Sequence, residues 1–267
     1  MHSRSWTYLA LAAVIVLTGG CRRGFRISHY PTNETLFAAG LREFQKEKWG
    51  NAIAAFEKLT ADLPARDTLL PRAYWYLASA HSRQDEHLLA AQAFSRLFES
   101  FPDDTLSDDG AFQAGLEYRK LWRKPQLDPT YGELALSTFN TLIGLYPDSP
   151  HAEPSRAQIA DLDQWFATKE YETGMFYVRN KAWDSANIYF QNVVARWPHV
   201  PRARDALLRL VESYRTINYR ENVQETCAKL RESYPGDAEV GRVCRATPAA
   251  AAAVDSAARP RPTPPGD

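Results

Sequence analysis

"ALSTFNTLIGLYPDSP", residues 135–150, reads as an amphipathic helix that stops abruptly at Tyr146-Pro147. Proline has no amide hydrogen to donate and pushes the residue before it out of the helical region, so the helix must end at the aromatic. The same phrase recurs as "FSRLFESFPDD" (94–104), "FQNVVARWPHV" (190–200) and "LRESYPGD" (230–237). Working outward, an Ala-x3-Phe-x7-Pro frame repeats in register at Ala52/Phe56/Pro64, Ala90/Phe94/Pro102, Ala135/Phe139/Pro147 and Ala186/Phe190/Pro198. A degraded fifth copy keeps the spacing at Val223/Cys227/Pro235. The prolines at 64, 102, 147, 198 and 235 set units of 38, 45, 51 and 37 residues. That is the range expected of tetratricopeptide repeats, each two antiparallel helices with small residues where they touch.

Residue types fit the geometry. Alanine at the crossing lets two backbones approach, and phenylalanine one turn later fills the groove on the same face. Twelve residues before three of the alanines stand Gly40, Ala78 and Gly174, and Gly115 takes that place in the third unit once the insertion "RKPQLDPTYG" (123–132) is allowed for. The predicted fold is all-α, a right-handed tetratricopeptide superhelix of about five hairpins. The repeats span about 33–67, 71–104, 108–150, 151–200 and 201–236, followed by a short capping helix, so the folded domain covers 33–245.

The ends read differently. Residues 1–20 carry a short basic start, an apolar stretch too short for the ~20 residues of a bilayer span, and small residues before Cys21, as in a cleaved signal. The run before Cys21 resembles a bacterial lipobox, with Thr18 where leucine is usual; an ordinary signal peptide cut near Gly19-Gly20 is the other reading. On the lipobox reading Cys21 is the lipidation site, residues 21–32 are a lipidated linker, and several acyl chains anchor the protein where one would not. By resemblance to the lipoprotein sorting rules of many Gram-negative bacteria, Arg22 rather than aspartate after the cysteine implies the outer membrane, periplasmic face. Residues 246–267 are Ala/Pro-rich and expected to be disordered.

Charge and motifs narrow the function. Lys+Arg and Asp+Glu both number 32, so nothing in the overall balance marks a nucleic-acid binder. The six histidines are scattered singly, and the sequence has no H-E-x-x-H, C-x-x-C, G-x-G-x-x-G, Walker A or G-x-S-x-G. No catalytic residue, cofactor or metal is expected; the reading is not an enzyme. Asp103-Asp104 and Asp108-Asp109 read as caps on backbone amides rather than metal ligands. Cys227 and Cys244 face an oxidising compartment where a disulfide can form, but the preferred reading is two buried thiols, because Cys227 occupies a core position of the repeat.

The fifth position of each first helix points into the concave groove of such repeats, and it reads Phe37, Trp75, Phe112, Tyr171 and Leu208. A row of rings suits an extended, aromatic-bearing peptide, with Arg119 to meet a terminal carboxylate. The competing reading is that the rings pack against neighbouring helices.

Together the signal-lipobox, the five repeats, "NAIAAFEKLTADLP" (51–64), "GLYPDSPHA" (144–152), "ATKEYETGMFYVRNKAWDSANIYFQNVVARWP" (167–198) and "RARDALLRLVESY" (202–214) resemble the BamD family of lipoproteins. These serve the outer-membrane β-barrel assembly (BAM) machinery. The resemblance runs from about Tyr30 to Asp237. It implies that the first repeats receive unfolded outer-membrane β-barrel precursors through their C-terminal signal, at Phe37, Trp75, Phe112 and Arg119. It implies that the last repeats dock on the periplasmic (POTRA) domains of BamA, beside other BAM lipoproteins, through Arg204, Asp205 and Tyr214. Outside that resemblance, an envelope lipoprotein coordinating cell division and peptidoglycan synthesis, or a secretin or pilus pilotin, also fits a lipid-anchored repeat protein.

Overall fold

A computed structural model describes residues 24–245. After a 3-10 turn at Ile27–His29 the described chain is eleven α-helices without a strand. They are α1 (Asn33–Gln45), α2 (Trp49–Asp62), α3 (Leu70–Arg83), α4 (His87–Ser100), α5 (Ser107–Leu121), α6 (Thr130–Leu145), α7 (Ala152–Arg179), α8 (Trp183–Arg196), α9 (Pro201–Thr216), α10 (Arg220–Ser233) and α11 (Ala238–Val243). The all-α tetratricopeptide architecture is therefore present. The described residues divide into two compact units, with the boundary between Gly110 and Ala111, inside α5.

Within the first unit α1 pairs with α2 and α3 with α4, and α2 packs on α3. Within the second, α7 pairs with α8, α8 with α9, and α9 with α10, while α11 lies against both α9 and α10. Each hairpin is built on one contact. The rings of Phe56, Phe139 and Phe190 are fully buried, as are Leu59, Leu142 and Val193 three residues on. Phe94 and Leu97 repeat the pair, and Cys227 with Leu230 is its last copy. The glycines opposite explain why a small residue is needed. A methyl group on Gly115 would stand 2.5 Å from the Phe139 ring, and one on Gly174 would stand 2.6 Å from Phe190. Real carbons do not approach so closely, so ring and backbone fit only because the side chain is missing.

Both helix ends have a local cause. Phe101, Tyr146, Trp197 and Tyr234 leave their helices at nearly one conformation, φ −134 to −128° and ψ 57 to 63°. Each amide still donates to the carbonyl four residues back. That is the expected response of a pre-proline residue, forced off the helical region while its own hydrogen bond is kept. Leu63, the aliphatic residue at this place in the first repeat, exits instead at φ −67°, ψ 137°. The turns inside four hairpins share another feature: Glu47, Asp85, Lys181 and Asn218 all have φ of 57–62°. The next amide returns five residues, as Lys48 N–H to Glu43 O and Ala182 N–H to Tyr177 O. This is the Schellman closure of a helix, here without glycine.

The third hairpin has an insertion in place of that turn. Trp122 is buried there over Gly132 and against Trp165 and Phe166 of α7. Lys169 Nζ donates to Leu127 O at 2.9 Å and Gln126 Nε2 to Glu172 Oε2 at 2.6 Å, tying the loop to α7.

The cysteines are a correction. Cys227 and Cys244 form a disulfide, not two free thiols. Cys227 does occupy a buried core position. α11 folds back on α10 and brings the buried Cys244 to it. Closing a loop of this length contributes about 3 kcal/mol by restricting the unfolded chain.

Asp104 Oδ1 accepts from the Leu106 amide at 2.9 Å, and Asp108 and Asp109 lie in the first turn of α5. Acidic groups there complement the positive end of the helix dipole.

Candidate functional site

In the first unit α3, Thr68 just before it and the loop after α4 line an open pocket of about 330 Å³. It is lined by Thr68, Arg72, Trp75, Tyr76, Asp104, Thr105 and Leu106. Trp75 meets Phe94 edge to face at 5.3 Å, and Tyr76 stacks on Phe56 at 5.5 Å. Both rings are held from behind, so they are presented without much rotamer entropy left to lose. Phe37 is placed differently. It is only 5% exposed, packed on Phe56 and Tyr76, with the Arg72 guanidinium 5.1 Å above its ring. Phe37 is thus a core residue that touches the cavity's surroundings through Arg72 rather than opening onto it. The cavity offers one cation, one carboxylate and two large rings, a mixed lining that suits a peptide with an aromatic side chain.

In the second unit the half-buried Phe112 stacks on His151 at 4.6 Å and lies 6.0 Å from Phe139. Two turns along α5, Arg119 is already committed. Its Nη2 meets Asp161 Oδ2 at 2.7 Å, its Nη1 donates to Trp122 O at 3.3 Å, and its guanidinium lies 3.7 Å over Trp165. Asp161 thereby occupies the place on Arg119 assigned above to a peptide carboxylate. Tyr171 carries two arginines of α9: Arg202 lies 5.0 Å over its ring and Arg209 Nε donates to its hydroxyl at 3.3 Å. That hydrogen bond, more than the neighbouring Glu212, raises the pKa of Arg209 above its ordinary value. Leu208 is buried.

The residues assigned to docking divide. Arg204 and Asp205 are half-buried on α9. Arg204 is clasped by Asp237 and Glu239, with Asp205 at 3.5 Å. Tyr214, 4% exposed, is enclosed: its hydroxyl accepts from Gln191 Nε2 at 2.7 Å and its ring faces Tyr219 at 6.2 Å. Cys21 lies outside the described residues, as do the signal and the Ala/Pro tail. Among the described residues no helix is long and apolar enough to cross a membrane.

Arg72, Tyr76, Arg202 and Arg209 were not singled out by the sequence reading. Their signal was helical spacing: Arg72 stands three residues before Trp75 and four before Tyr76 on α3, and Arg202 and Arg209 stand seven apart on α9.

The family model described as "YfiO: Outer membrane lipoprotein" matches residues 30–230. A protein of Caulobacter vibrioides named outer membrane protein assembly factor BamD is 23% identical over 233 residues, 86% of this chain and 75% of that one. The Haemophilus influenzae protein of the same name is 23% identical over 220 residues, 77% of this chain and 82% of its own. Among solved structures, the TPR domain of P58(IPK) aligns over 84% of this chain and 56% of its own, at 14% identity and a TM-score of 0.42.

Proposed function

From a chain that belongs to the YfiO family of outer membrane lipoproteins, we propose an outer-membrane protein assembly factor of the BamD kind: a non-catalytic receptor and scaffold of the envelope that binds unfolded β-barrel precursors and docks on the barrel-forming BamA subunit. The observation that carries the reading is the family match across residues 30–230, nearly the whole described chain. Cys21 is the proposed lipid anchor, holding the repeats at the periplasmic face of the outer membrane.

The cavity of the first unit supports the substrate half of the proposal. Trp75 and Tyr76 supply flat apolar area, while Arg72 and Asp104 supply one charge of each sign. An extended peptide ending in an aromatic residue gains stacking from the rings and a charge-assisted hydrogen bond from Arg72. Phe112 is proposed as a second ring contact in the other unit. Arg119 meets a terminal carboxylate only if Asp161 yields its place. Arg204 and Asp205 are the proposed docking pair, with Tyr214 setting the packing of α9 behind them.

Two experiments test this. Trp75→Ala with Phe112→Ala should lower barrel-protein levels in outer-membrane fractions while the protein itself accumulates normally; unchanged levels overturn the substrate site. Affinity purification of the membrane-solubilised protein should bring down BamA, and its absence overturns the docking half.

A further inference from the structure

α11 is only six residues long, yet the segment it belongs to is held at both ends. At one end Asp237 Oδ2 stands 2.8 Å from Arg204 Nε and 2.7 Å from Nη2, and Glu239 Oε2 stands 2.8 Å from the same Nη2. Asp237 also caps α11, its Oδ1 accepting from the amides of Glu239 at 2.8 Å and Val240 at 3.1 Å. At the other end Cys244 is bonded to Cys227 of α10, and its carbonyl accepts from Arg231 Nη2 at 2.6 Å. Between these clamps α11 buries only Val240.

We propose that the 237–244 segment is a tethered competitor for Arg204: Asp237 and Glu239 take the place of an acidic partner's carboxylates, and the Cys227–Cys244 bond keeps them there. This rests on the reading of Arg204 as a docking residue. Both the Nε and Nη2 donors are spent on the segment, and the third neighbour, Asp205, is a carboxylate too. One guanidinium therefore faces three carboxylates, with both hydrogen bonds to the segment made by Nε and Nη2 and Nη1 nearest Asp205, so a partner's acidic group must compete with them for Arg204. Displacement is within reach, because Glu239 is about half exposed and such pairs are weak. The competitor's strength comes from its tether, which makes its approach intramolecular.

The tether can be cut. A dithiol attacks one sulfur through its thiolate, forms a mixed disulfide, and closes to a cyclic disulfide with its second thiol. Two electrons pass to the protein, and Cys227 and Cys244 leave as thiols. Both cysteines are buried, so the attack requires α11 to lift, and the oxidised, masked state is the resting one. With the bond cut, Val240, the hydrogen bond from Arg231 to the Cys244 carbonyl and the clasp itself hold the segment, and Arg204 spends more time free.

The test uses the full-length protein with the purified periplasmic domains of BamA as probe. Arg204→Ala should weaken binding, whereas Glu239→Gln and the Cys227→Ser/Cys244→Ser pair should each tighten it, by about two- to fivefold for a released pair of this exposure. Hydrogen exchange at 238–245 should quicken in the double-serine protein while α7 and α8 keep their protection. If that protein loses protection throughout, Glu239→Gln decides. If Arg204→Ala weakens binding but the releasing variants bind no tighter, the competitor is overturned and docking at Arg204 stands. If Arg204→Ala binds as the parent does, the docking reading falls and takes this one with it.

Discussion

Gly174 and Gly144 are both helical glycines, and the difference between them is what stands opposite. A Cβ on Gly174 meets the buried Phe190 ring at 2.6 Å, whereas one on Gly144 meets nothing within 4 Å. Glycine inside a helix costs about 0.5–1 kcal/mol relative to alanine, and overpacking a core costs about 1–3 kcal/mol. Gly144→Ala should therefore raise the melting temperature and Gly174→Ala lower it; two shifts of the same sign would refute the contact. The left-handed turn residues allow a second comparison. Lys181 sits at φ 57° with a side chain that disfavours it, while Asn218 at φ 62° is the most tolerant non-glycine type. Lys181→Gly should stabilise by about 0.5–1 kcal/mol and Asn218→Gly by less, read by denaturant unfolding.

At the scale of elements, two short segments are fastened in part by polar contacts. The insertion before α6 is tied to α7 by Lys169, whose Nζ donates to Leu127 O at 2.9 Å and Gln126 O at 3.5 Å. Lys169→Met should speed amide exchange at 124–129 and leave α8 unchanged; if the loop stays protected, Trp122 and the Gln126–Glu172 hydrogen bond anchor it without Lys169. The α11 cap depends on Asp237, whose carboxyl is held below its usual range, first by the Val240 amide and then by Arg204. A depressed pKa means that the stabilisation is present above the ordinary carboxylate value near ~4 and is lost as pH falls through the lowered one. Protection factors in α11 should fall as the pH drops below about 4 and hold steady from pH 5 to 7; loss on the alkaline side instead would assign the cap to another group.

At the scale of the whole molecule, stacked hairpins contact mainly their neighbours, so damage should spread by adjacency rather than everywhere at once. Phe190 is fully buried between α7 and α8, and truncating such a ring costs about 3–5 kcal/mol. Phe190→Ala should release protection in α7, α8 and α9 while α1 to α3 retain theirs. A single global transition with equal loss in both units would contradict this.

The repeat frame was legible because its causes are local. A pre-proline aromatic leaves the helix in one conformation wherever it occurs, and a Phe one turn after Ala has one groove to fill, so all-α hairpins follow from spacing alone. Only part of the candidate site was legible in the same way. Position five put a ring at 37, 75 and 112, but whether a ring opens onto a cavity or is enclosed depends on what its neighbours do. Tyr76 and Arg72 enclose Phe37, Phe94 props up Trp75, and His151 covers Phe112. Arg119 and Arg204 follow the same logic. Sequence marked them as cations on the right helices, but their carboxylate partners lie 42 and 33 residues away, at Asp161 and Asp237. The disulfide is of that kind too, since Cys244 reaches Cys227 only after α11 turns back on α10. Periodicity fixes which face of a helix a residue occupies; only the packed neighbours decide what that face meets.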